Sequence, residues 1–361
     1  MPQKLYFTVG PSELYPTLPA HIQEALDKKI GTISHRGKAF QDIFKNCVYQ
    51  LRTLMNIPDT HHIFFLSSAT EIWERILQNC VDQKSLHLVN GSFSKRFYEF
   101  AVELGKTPEK IQTDFGKGFF AKDIAIPNTC EAICVTQNET SSGVCMPLNE
   151  IYLLKQKAPN ALLFVDSVSS VPYPDYDYKI VDSVFFSVQK CFGLPAGLGV
   201  WIVNEKCIEK ANLLLAQKKS IGTYHSLPSL FGKAKDFQTP ETPNVWNIFL
   251  LGKVAEDMNN KGIQQLRKET DTKAAMLYEY FNSSKNFSIA VSEPVHRSAT
   301  TIVANTAINA SEVNKKLEPY NMVVGSGYSS YKETQIRIAN FPALSIEQTE
   351  KLIEALKKEL Q

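Results

Sequence analysis

The sequence has little of what marks secreted, membrane or nucleic-acid-binding proteins. No segment approaches the ~18 uninterrupted apolar residues of a membrane span, and the first residues, MPQKLYFTVGPSEL, lack the apolar stretch of a secretory signal. Basic and acidic residues nearly balance, with 39 Lys and Arg against 37 Asp and Glu, and no long basic run is interleaved with aromatic residues. We therefore expect a cytoplasmic protein that binds neither membrane nor nucleic acid.

The cysteines also lack the spacing of a metal site or a disulfide framework. They are scattered, no CxxC pair occurs, and no histidine stands at a ligand spacing from any of them. We expect free thiols and no bound metal. The seven residues are Cys47, Cys80, Cys130, Cys134, Cys145, Cys191 and Cys207.

Short apolar runs that alternate with longer amphipathic stretches predict the fold class. Runs such as ALLFV and SVFFSV are apolar throughout, which is typical of strands covered on both faces in a mainly parallel sheet. Their alternation with helices predicts a doubly wound α/β architecture. The predicted strands are 63–66, 85–89, 132–136, 161–165, 183–187 and 199–203, and helices are predicted at 71–81, 95–104 and 148–157.

Beyond about residue 250 the pattern changes to that of a smaller α+β domain. We predict a large domain of residues 15–250 and a small domain made of residues 1–14 and 251–361. Ser345 stands where its side chain can cap the last helix. The predicted elements of this part are a long helix at 245–282, strands at 300–304, 322–324 and 335–338, and a final helix at 346–360.

The strongest local signal for chemistry is the segment SVFFSVQKCFGLPAG, where Gln189 and Lys190 stand just beyond an apolar strand. In open α/β sheets, ligands bind beyond the carboxyl ends of the strands. A lysine in such a partly desolvated place can lose its proton and form a Schiff base. Taken alone, a solvated surface lysine after a strand is the commoner occurrence.

Asp166 ends another apolar run, ALLFVD, one strand earlier along the chain. Parallel strands bring their carboxyl ends to one edge of a sheet, so Asp166 is expected near Lys190. A carboxylate there can hold a pyridine nitrogen protonated, and a protonated ring is the electron sink that amino-acid carbanion chemistry needs. An aspartate that caps the next turn explains Asp166 equally well by itself.

A third signal, FFLSSATEIWERI, leads from a strand through Ser68, Ala69 and Thr70 into a helix. Small residues let the backbone approach a phosphate closely, and the free N–H groups of a helix start favour an anion. An ordinary capping box of Ser68 and Glu71 is the alternative. A phosphate cradle, a ring-nitrogen acid and a lysine, in that order and each at a strand end, are more informative together than separately.

These segments resemble the class-V branch of the fold-type I pyridoxal-phosphate (PLP) aminotransferases. The resemblance implies a large domain with a mainly parallel sheet, a smaller α+β domain, and a homodimer whose active sites draw on both chains. It also implies a PLP-dependent transaminase in which Lys190 carries the cofactor as a Schiff base and then moves a proton during amino transfer. The other matching stretches are FTVGPSEL, ISHRGKAF, NGSFSKRF, QNETSSGV, QTPETPNVWNI and IRIANFPA.

The resemblance also assigns roles to individual residues. Phe93, where the family more often has Trp, would stack on the cofactor ring, and Thr140 would meet the ring oxygen. Arg337 would grip the substrate α-carboxylate through a bidentate fork. The implied set further contains Ser68, Ala69 and Thr70 at the cofactor phosphate with Thr242 of the second chain, Asp166, Gln189 and Lys190 at the ring and the reacting carbon, and His35 and Arg36 of the second chain at the substrate side chain.

Two departures from the family pattern affect the substrate and the cofactor phosphate. Some members carry a His-Arg pair before the last arginine that helps to hold a substrate phosphate, whereas this chain reads GSGYSSYKETQIR, in which Lys332 is the stand-in. Glu241 stands where the family often has Asn, and a carboxylate beside a phosphate would be repulsive unless it turns away.

The resemblance implies L-phosphoserine and 2-oxoglutarate as donor and acceptor, on the route to serine. A serine- or alanine-glyoxylate aminotransferase shares the machinery without a side-chain phosphate site, and it stays the alternative. A cysteine desulfurase of this fold would need a nucleophilic Cys in its C-terminal part, and no Cys follows Cys207. A PLP-fold protein without turnover is the third rival, against which Lys190, Asp166 and Arg337 argue.

Four further polar or aromatic residues stand outside these motifs. His61 and His62 precede a strand and are expected to have a plain surface role, since histidine pairs are rarely ligands without carboxylate or Cys partners. Tyr224 and His225, in GTYHSL, either line the site or pack at a subunit boundary, where aromatic residues are common for packing reasons alone.

Overall fold

The computed structural model describes residues 4–360, which form two main sheets with flanking helices. The strands are β1 (Leu5–Phe7), β2 (His61–Leu66), β3 (Ser85–Val89), β4 (Glu109–Gln112), β5 (Ala132–Thr136), β6 (Asn138–Glu139), β7 (Val144–Cys145), β8 (Leu162–Asp166), β9 (Ser183–Ser187), β10 (Gly199–Asn204), β11 (Phe287–Ile289), β12 (Thr301–Thr306), β13 (Met322–Ser326) and β14 (Gln335–Ala339). The helices are α1 (Leu18–Asp27), α2 (Lys38–Met55), α3 (Ala69–Cys80), α4 (Ser92–Glu103), α5 (Leu148–Lys157), α6 (Glu205–Ala216), α7 (Leu227–Ala234), α8 (Val245–Lys261), α9 (Ile263–Ser283), α10 (Ala310–Leu317) and α11 (Ile346–Leu360).

The larger sheet has seven strands in the order β2-β10-β9-β8-β5-β3-β4. Its neighbouring strands are parallel except where β10 pairs with β2 and β9. Successive strand residues point to two different cores: α1, α2, α5 and α8 cover one face, and α3, α4, α6 and α7 cover the other. The predicted α/β fold with a mainly parallel sheet is therefore confirmed, and burial on both faces explains why central strands such as β8 and β9 are largely apolar.

The smaller sheet has five strands in the order β1-β13-β14-β12-β11, and α9, α10 and α11 supply most of the helical part of its core. β1 joins it by pairing in parallel with β13, so the start of the chain and its last part share one sheet. The predicted limit at 250/251 falls inside α8, which packs on the larger core. The domain limits stay a prediction.

The long helix predicted at 245–282 is wrong in one respect, because the structure divides it into α8 and α9. The break lies at Gly262, whose φ of 87° is outside the helical region. The cap predicted at Ser345 is confirmed: its hydroxyl oxygen accepts the Gln348 N–H at 3.1 Å, and the Gln348 side chain accepts the Ser345 N–H at 2.8 Å.

His61 and His62 lie within β2 rather than in the turn before it, so the expected surface role is wrong for His61. The His61 ring is buried, with Nε2 3.2 Å from the Val181 carbonyl oxygen. His62 pairs with Glu205 at 2.7 Å. The seven cysteines are free thiols, and five of them are buried. Between residues 4 and 360, no helix has the length and apolar character that crossing a membrane requires.

Candidate active site

A cavity of about 370 Å³ lies at the edge of the large sheet where its parallel strands end. β2, β3, β5, β8 and β9 run in the same direction, so the segments that follow them meet at this edge. The smaller sheet contributes residues of β14 and of the loop after β13. Most of the predicted site residues line the cavity, namely Ala69, Thr70, Phe93, Thr140, Asp166, Gln189, Lys190 and Arg337.

Lys190 is buried in this cavity, on the loop that follows β9. Its backbone is fixed by the Ser12 hydroxyl and the Gly193 N–H, each of which donates to the Lys190 carbonyl at 2.9 Å. Its side-chain nitrogen donates to the Thr140 hydroxyl oxygen at 3.0 Å and lies 5.0 Å from the centroid of the Phe93 ring. Burial lowers the pKa of Lys190 to about 8, because the charged amine loses its water. Such a lysine reaches its neutral, nucleophilic form near neutral pH.

Asp166 is the last residue of β8 and is 2% exposed. Its Oδ2 accepts the Trp73 indole N–H at 2.8 Å, and its Oδ1 accepts the Val168 N–H at 3.0 Å. Burial raises the pKa of the Asp166 carboxyl to about 6, against the effect of these hydrogen bonds and of Lys190. On the neighbouring strand, the buried Thr136 hydroxyl lines the same cavity and has no hydrogen-bond partner within residues 4–360. A carboxylate of fixed orientation therefore stands beside an unpaired polar atom.

The segment between β2 and α3 presents the start of a helix to the cavity. Ser68 is the N-cap of α3, and its hydroxyl oxygen accepts the Glu71 N–H at 3.1 Å. The Ala69 N–H donates to the Ser187 hydroxyl oxygen at 2.7 Å. Thr70 also lines the cavity but makes no hydrogen bond to Ser187. Ser68 itself is not among the residues that line the cavity. The Ser68 hydroxyl thus caps the helix, and Thr70 with the helix start forms the polar wall.

Phe93 and Arg337 face the cavity from opposite parts of the fold. The Phe93 ring, at the start of α4, lies with its centroid 5.3 Å from that of Tyr328. Arg337, on β14, donates from Nε to the Ser326 carbonyl at 2.7 Å and from Nη1 to the Thr140 carbonyl at 3.3 Å. Burial lowers the pKa of Arg337 to about 10, so the guanidinium is still charged at neutral pH. A fixed guanidinium in a half-buried position is suited to a carboxylate.

His35, Arg36 and Thr242 do not line this cavity. Thr242 lines a second cavity of about 420 Å³, and its hydroxyl lies 3.4 Å from His35 Nδ1. The Arg36 guanidinium donates to oxygens of the loop that precedes α8: Gln238 Oε1 at 3.0 Å and the carbonyls of Thr239 at 2.6 Å and Pro240 at 3.0 Å. Their assignment to the active site of a second chain stays a prediction.

Sequence reasoning missed several residues that the structure places in the cavity. Trp73 lies one helical turn after Ala69, so the spacing of α3 alone could have identified it. Asn138 stands two residues before Thr140 in the same motif, and its side chain donates to the Ser169 hydroxyl oxygen at 2.7 Å. Tyr328 lies in the stretch GSGYSSYKETQIR, which the sequence analysis treated only as a departure from the family's His-Arg pair. Thr136 and Ser187 end apolar strands, as Asp166 does.

The chain is similar to known proteins over its full length. Residues 112–350 match the family model described as aminotransferase class-V. A phosphoserine aminotransferase of Rhodococcus opacus is 26% identical over 354 residues, which cover 97% of this chain and 93% of that protein. A crystal structure of a phosphoserine aminotransferase from Cytophaga hutchinsonii is 58% identical, covers 100% of both chains and has a TM-score of 0.99. An alanine–glyoxylate aminotransferase from Nostoc sp. shares the fold with a TM-score of 0.85 at 20% identity, covering 100% of this chain and 96% of that one.

Proposed function

The chain belongs to the class-V aminotransferases, and from this premise we propose that it transfers the amino group of O-phospho-L-serine to 2-oxoglutarate in the synthesis of serine. It is a PLP-dependent transaminase. The choice of phosphoserine is supported by the full-length likeness, at 58% identity, to the phosphoserine aminotransferase of C. hutchinsonii. The observation that carries the transaminase chemistry is that a buried lysine, a buried carboxylate and an arginine share one cavity.

The residues present fit a phosphorylated pyridine ring. The cavity volume of about 370 Å³ lies within the range of ligand pockets. Phe93 offers an aromatic face near Lys190, and Asp166 offers an anion for a ring nitrogen. The Thr136 hydroxyl, which has no hydrogen-bond partner within residues 4–360, is a polar atom available to a ligand, and Thr70 stands at a helix start that favours a phosphate.

Bound PLP supplies the electron sink that stabilises negative charge at the amino-acid Cα. We propose that Lys190 holds the cofactor covalently and, once released as a free amine, moves a proton from the substrate Cα to the cofactor. Asp166 keeps the ring nitrogen protonated through its opposite charge. Phe93 would stack on the ring, Thr140 would meet the ring oxygen, and Arg337 would bind the α-carboxylate with two N–H groups.

We further propose a cytoplasmic homodimer with shared active sites. Thr242 of a second chain would join Ser68, Ala69 and Thr70 at the cofactor phosphate, while His35 and Arg36 of that chain would hold the substrate phosphate. The contacts of Arg36 support its part: three hydrogen bonds to the loop before α8 fix the side chain. A guanidinium has five N–H donors, so two are left for an anion.

A serine- or alanine-glyoxylate transaminase is the second candidate, and one observation favours it. Among the described residues that line the cavity, Lys190 and Arg337 are the cations. Lys190 is assigned to the cofactor and Arg337 to the α-carboxylate, a group that every amino-acid donor carries. A side-chain phosphate is therefore held only if a second chain supplies the positive charge.

The choice between these candidates is tested by the amino donor that the enzyme prefers. Purified enzyme with PLP is mixed with L-phosphoserine, L-glutamate, L-serine or L-alanine, and the loss of the cofactor's visible absorbance is followed. We expect phosphoserine and glutamate to react at least about 10²-fold faster than serine and alanine. Serine and alanine have no side-chain anion, so they would leave the cationic side-chain site unpaired. Faster reaction with serine or alanine would replace the phosphoserine assignment by the glyoxylate-type one.

The pH dependence of cofactor capture reports on Lys190 separately. Capture requires the neutral amine, and burial lowers the pKa of Lys190 to about 8. The rate at which the protein without cofactor captures PLP is therefore expected to rise up to about pH 8 and then level off, as stopped-flow absorbance would show. Nα-acetyl-lysine is the control, because its amine has a pKa of about 10.4 and its rate keeps rising. A protein profile that follows this control would contradict the lowered pKa.

A further inference from the structure

A buried histidine outside the cavity connects the start of α3 to the loop that carries Thr242. His225 is 4% exposed and lies between two carboxylates. Its Nδ1 is 2.5 Å from Glu71 Oε1, and its Nε2 is 2.9 Å from Glu241 Oε2. Glu71 belongs to the first turn of α3, next to Thr70, and Glu241 directly precedes Thr242 in the loop before α8.

We propose that Glu71, His225 and Glu241 form a charged clamp, with His225 protonated, that positions the Thr242 loop against the start of α3. All three are positioning residues, since none of them lines the cavity that holds Lys190. The consequence for the cofactor phosphate rests on the function proposed above, in which the start of α3 binds the phosphate of its own site and Thr242 reaches the phosphate in the second chain's site. The clamp itself depends only on contacts within one chain.

The protonation state follows from the hydrogen-bonding capacity of imidazole. Neutral histidine has one N–H donor and one bare acceptor nitrogen, whereas both nitrogens of His225 face carboxylate oxygens, which only accept. Nδ1 bonds to Glu71, and a bare Nε2 would turn its lone pair toward the Glu241 carboxylate oxygen at 2.9 Å, so both nitrogens carry a proton and the ring is positively charged. The contact with Glu241 lies outside hydrogen-bond angles, and the atoms Nε2 and Oε2 have no other partner within residues 4–360. Charge attraction therefore holds the Glu241 side, and a directed hydrogen bond holds the Glu71 side.

The surroundings of the clamp favour the same charge. The Glu71 carboxylate also accepts the N–H of Ser67 at 3.0 Å and its hydroxyl at 2.6 Å, and Arg75 Nε lies 3.6 Å away. Hydrogen bonds from His225 and Ser67 hold the pKa of Glu71 at about 2 in spite of its burial. The two carboxylates raise the pKa of His225 to about 9, against the effect of burial. The other groups that face the clamp are the Tyr224 ring, 4.1 Å from the His225 ring, and His35, whose pKa is lowered mainly by burial although Glu241 acts to raise it.

The clamp explains how a carboxylate can occupy position 241. With His225 protonated, its positive charge lies between the carboxylates of Glu71 and Glu241, while Arg75 lies between Glu71 and Glu74. With His225 neutral, one more negative charge would be uncompensated next to a site proposed for a phosphate dianion, and repulsion would weaken phosphate binding. Glu241 is thus turned toward His225, and its charge is compensated within the chain.

The protonation of His225 is tested by NMR titration of the histidine ring protons in the enzyme with PLP bound. The chain has seven histidines, and the His225→Asn spectrum identifies the signal of His225. We expect this signal to titrate near pH 9 in the wild type and at least one pH unit lower in Glu241→Gln. Titration near the ordinary value of about 6.5, or an unchanged midpoint in Glu241→Gln, would refute the clamp.

The positioning role is tested by hydrogen exchange and by cofactor affinity. In Glu241→Gln we expect amide exchange in residues 238–244 to accelerate about tenfold or more at pH 7.5, because a local opening is no longer opposed by the ion pair. In His225→Asn, where two carboxylates face each other unpaired, the dissociation constant for PLP should also rise about tenfold. His62→Asn is the matched control, since it removes a more exposed His–Glu pair at 2.7 Å and should change neither quantity.

These outcomes separate the clamp from the proposed function. If His225→Asn does not fold, the Glu241→Gln exchange and titration data still decide. Unchanged exchange of residues 238–244 in Glu241→Gln would overturn the positioning role. If the clamp behaves as expected but phosphoserine is a poor donor, the substrate proposal fails and the clamp stands.

Discussion

Replacement of Lys190 by alanine is expected to reduce amino transfer by about 10³-fold or more. In the proposed function, the variant loses both the covalent attachment of PLP and the amine that moves the proton from the substrate Cα. The Lys190 amine is buried and fixed by its hydrogen bond to Thr140, and alanine has no basic group that reaches this position. Turnover of the donor and acceptor pair, measured with saturating PLP, gives the rate, and the absorbance of the protein-bound cofactor gives the attachment.

Lys273 provides a matched control for this variant. It is as buried as Lys190, its pKa is likewise lowered to about 8, and its side chain donates to the carbonyls of Phe341 at 3.1 Å and Leu344 at 2.6 Å, away from the cavity. Lys273→Met should lower the free energy of unfolding while turnover per folded molecule stays near the wild-type value. If Lys190→Ala keeps more than a tenth of wild-type turnover, or if Lys273→Met loses as much, Lys190 is not the reacting lysine.

The strands of the large sheet were the part of the fold most open to prediction. Three predicted ranges, 85–89, 132–136 and 183–187, coincide with β3, β5 and β9. Each is a short apolar run that helices bury on both faces, and such runs differ sharply from the amphipathic segments around them. The strands of the small sheet were harder to predict from the sequence, because β1 and β11 have only three residues each and contain no apolar run of comparable length.

The break at Gly262 shows where local pattern fails. A single glycine destabilises a helix interior by only about 1 kcal/mol. The apolar periodicity of 245–282 therefore predicts one helix that continues through Gly262. The structure turns there because α8 packs on the core of the large sheet and α9 on that of the small one. That choice is made by tertiary packing, which the periodicity of a single segment does not contain.

In the site, sequence order predicted which segments would meet and tertiary structure decided what each side chain does. Asp166 ends β8, Lys190 follows β9 and Thr140 follows the short strand β6, and the cavity brings them together. Tyr328 and Arg337 come from the other sheet, whose approach no strand pattern shows. The resemblance alone pointed to Arg337, and it left Tyr328 unnoticed.

Replacement of Asp166 by asparagine is expected to lower kcat by about 10²- to 10³-fold, comparable to the loss of one preorganised electrostatic group. The amide keeps the shape of the carboxylate but removes the negative charge that holds the ring nitrogen protonated. KM for the amino donor should change less than kcat, because in the proposed function Arg337 and the side-chain site bind the donor independently of the ring. Steady-state kinetics with saturating PLP would give both values.

A structural effect accompanies the chemical one and has to be separated from it. The carboxylate accepts two hydrogen bonds, from the Trp73 indole N–H and the Val168 N–H, one on each oxygen. Asparagine offers a single acceptor oxygen, so one donor is left buried and unpaired at a cost of about 1–3 kcal/mol. Part of any loss in Asp166→Asn would therefore reflect a disturbed site.

The double variant Asp166→Asn/Trp73→Phe distinguishes the two effects. Phenylalanine removes the surplus donor while keeping an aromatic ring, so the double variant should regain stability relative to Asp166→Asn but not kcat. The pH dependence supplies a second readout. Burial raises the pKa of Asp166 to about 6 in the folded protein. The stability that protonated Asp166 contributes is therefore fully present below the ordinary carboxyl pKa and is lost as the pH rises through 6. The free energy of unfolding of the wild type without cofactor should thus fall relative to the double variant between about pH 4 and pH 7. Recovery of kcat in the double variant would show that Asp166 orients Trp73 and Val168 rather than holding the ring nitrogen protonated, because the negative charge is absent from both variants.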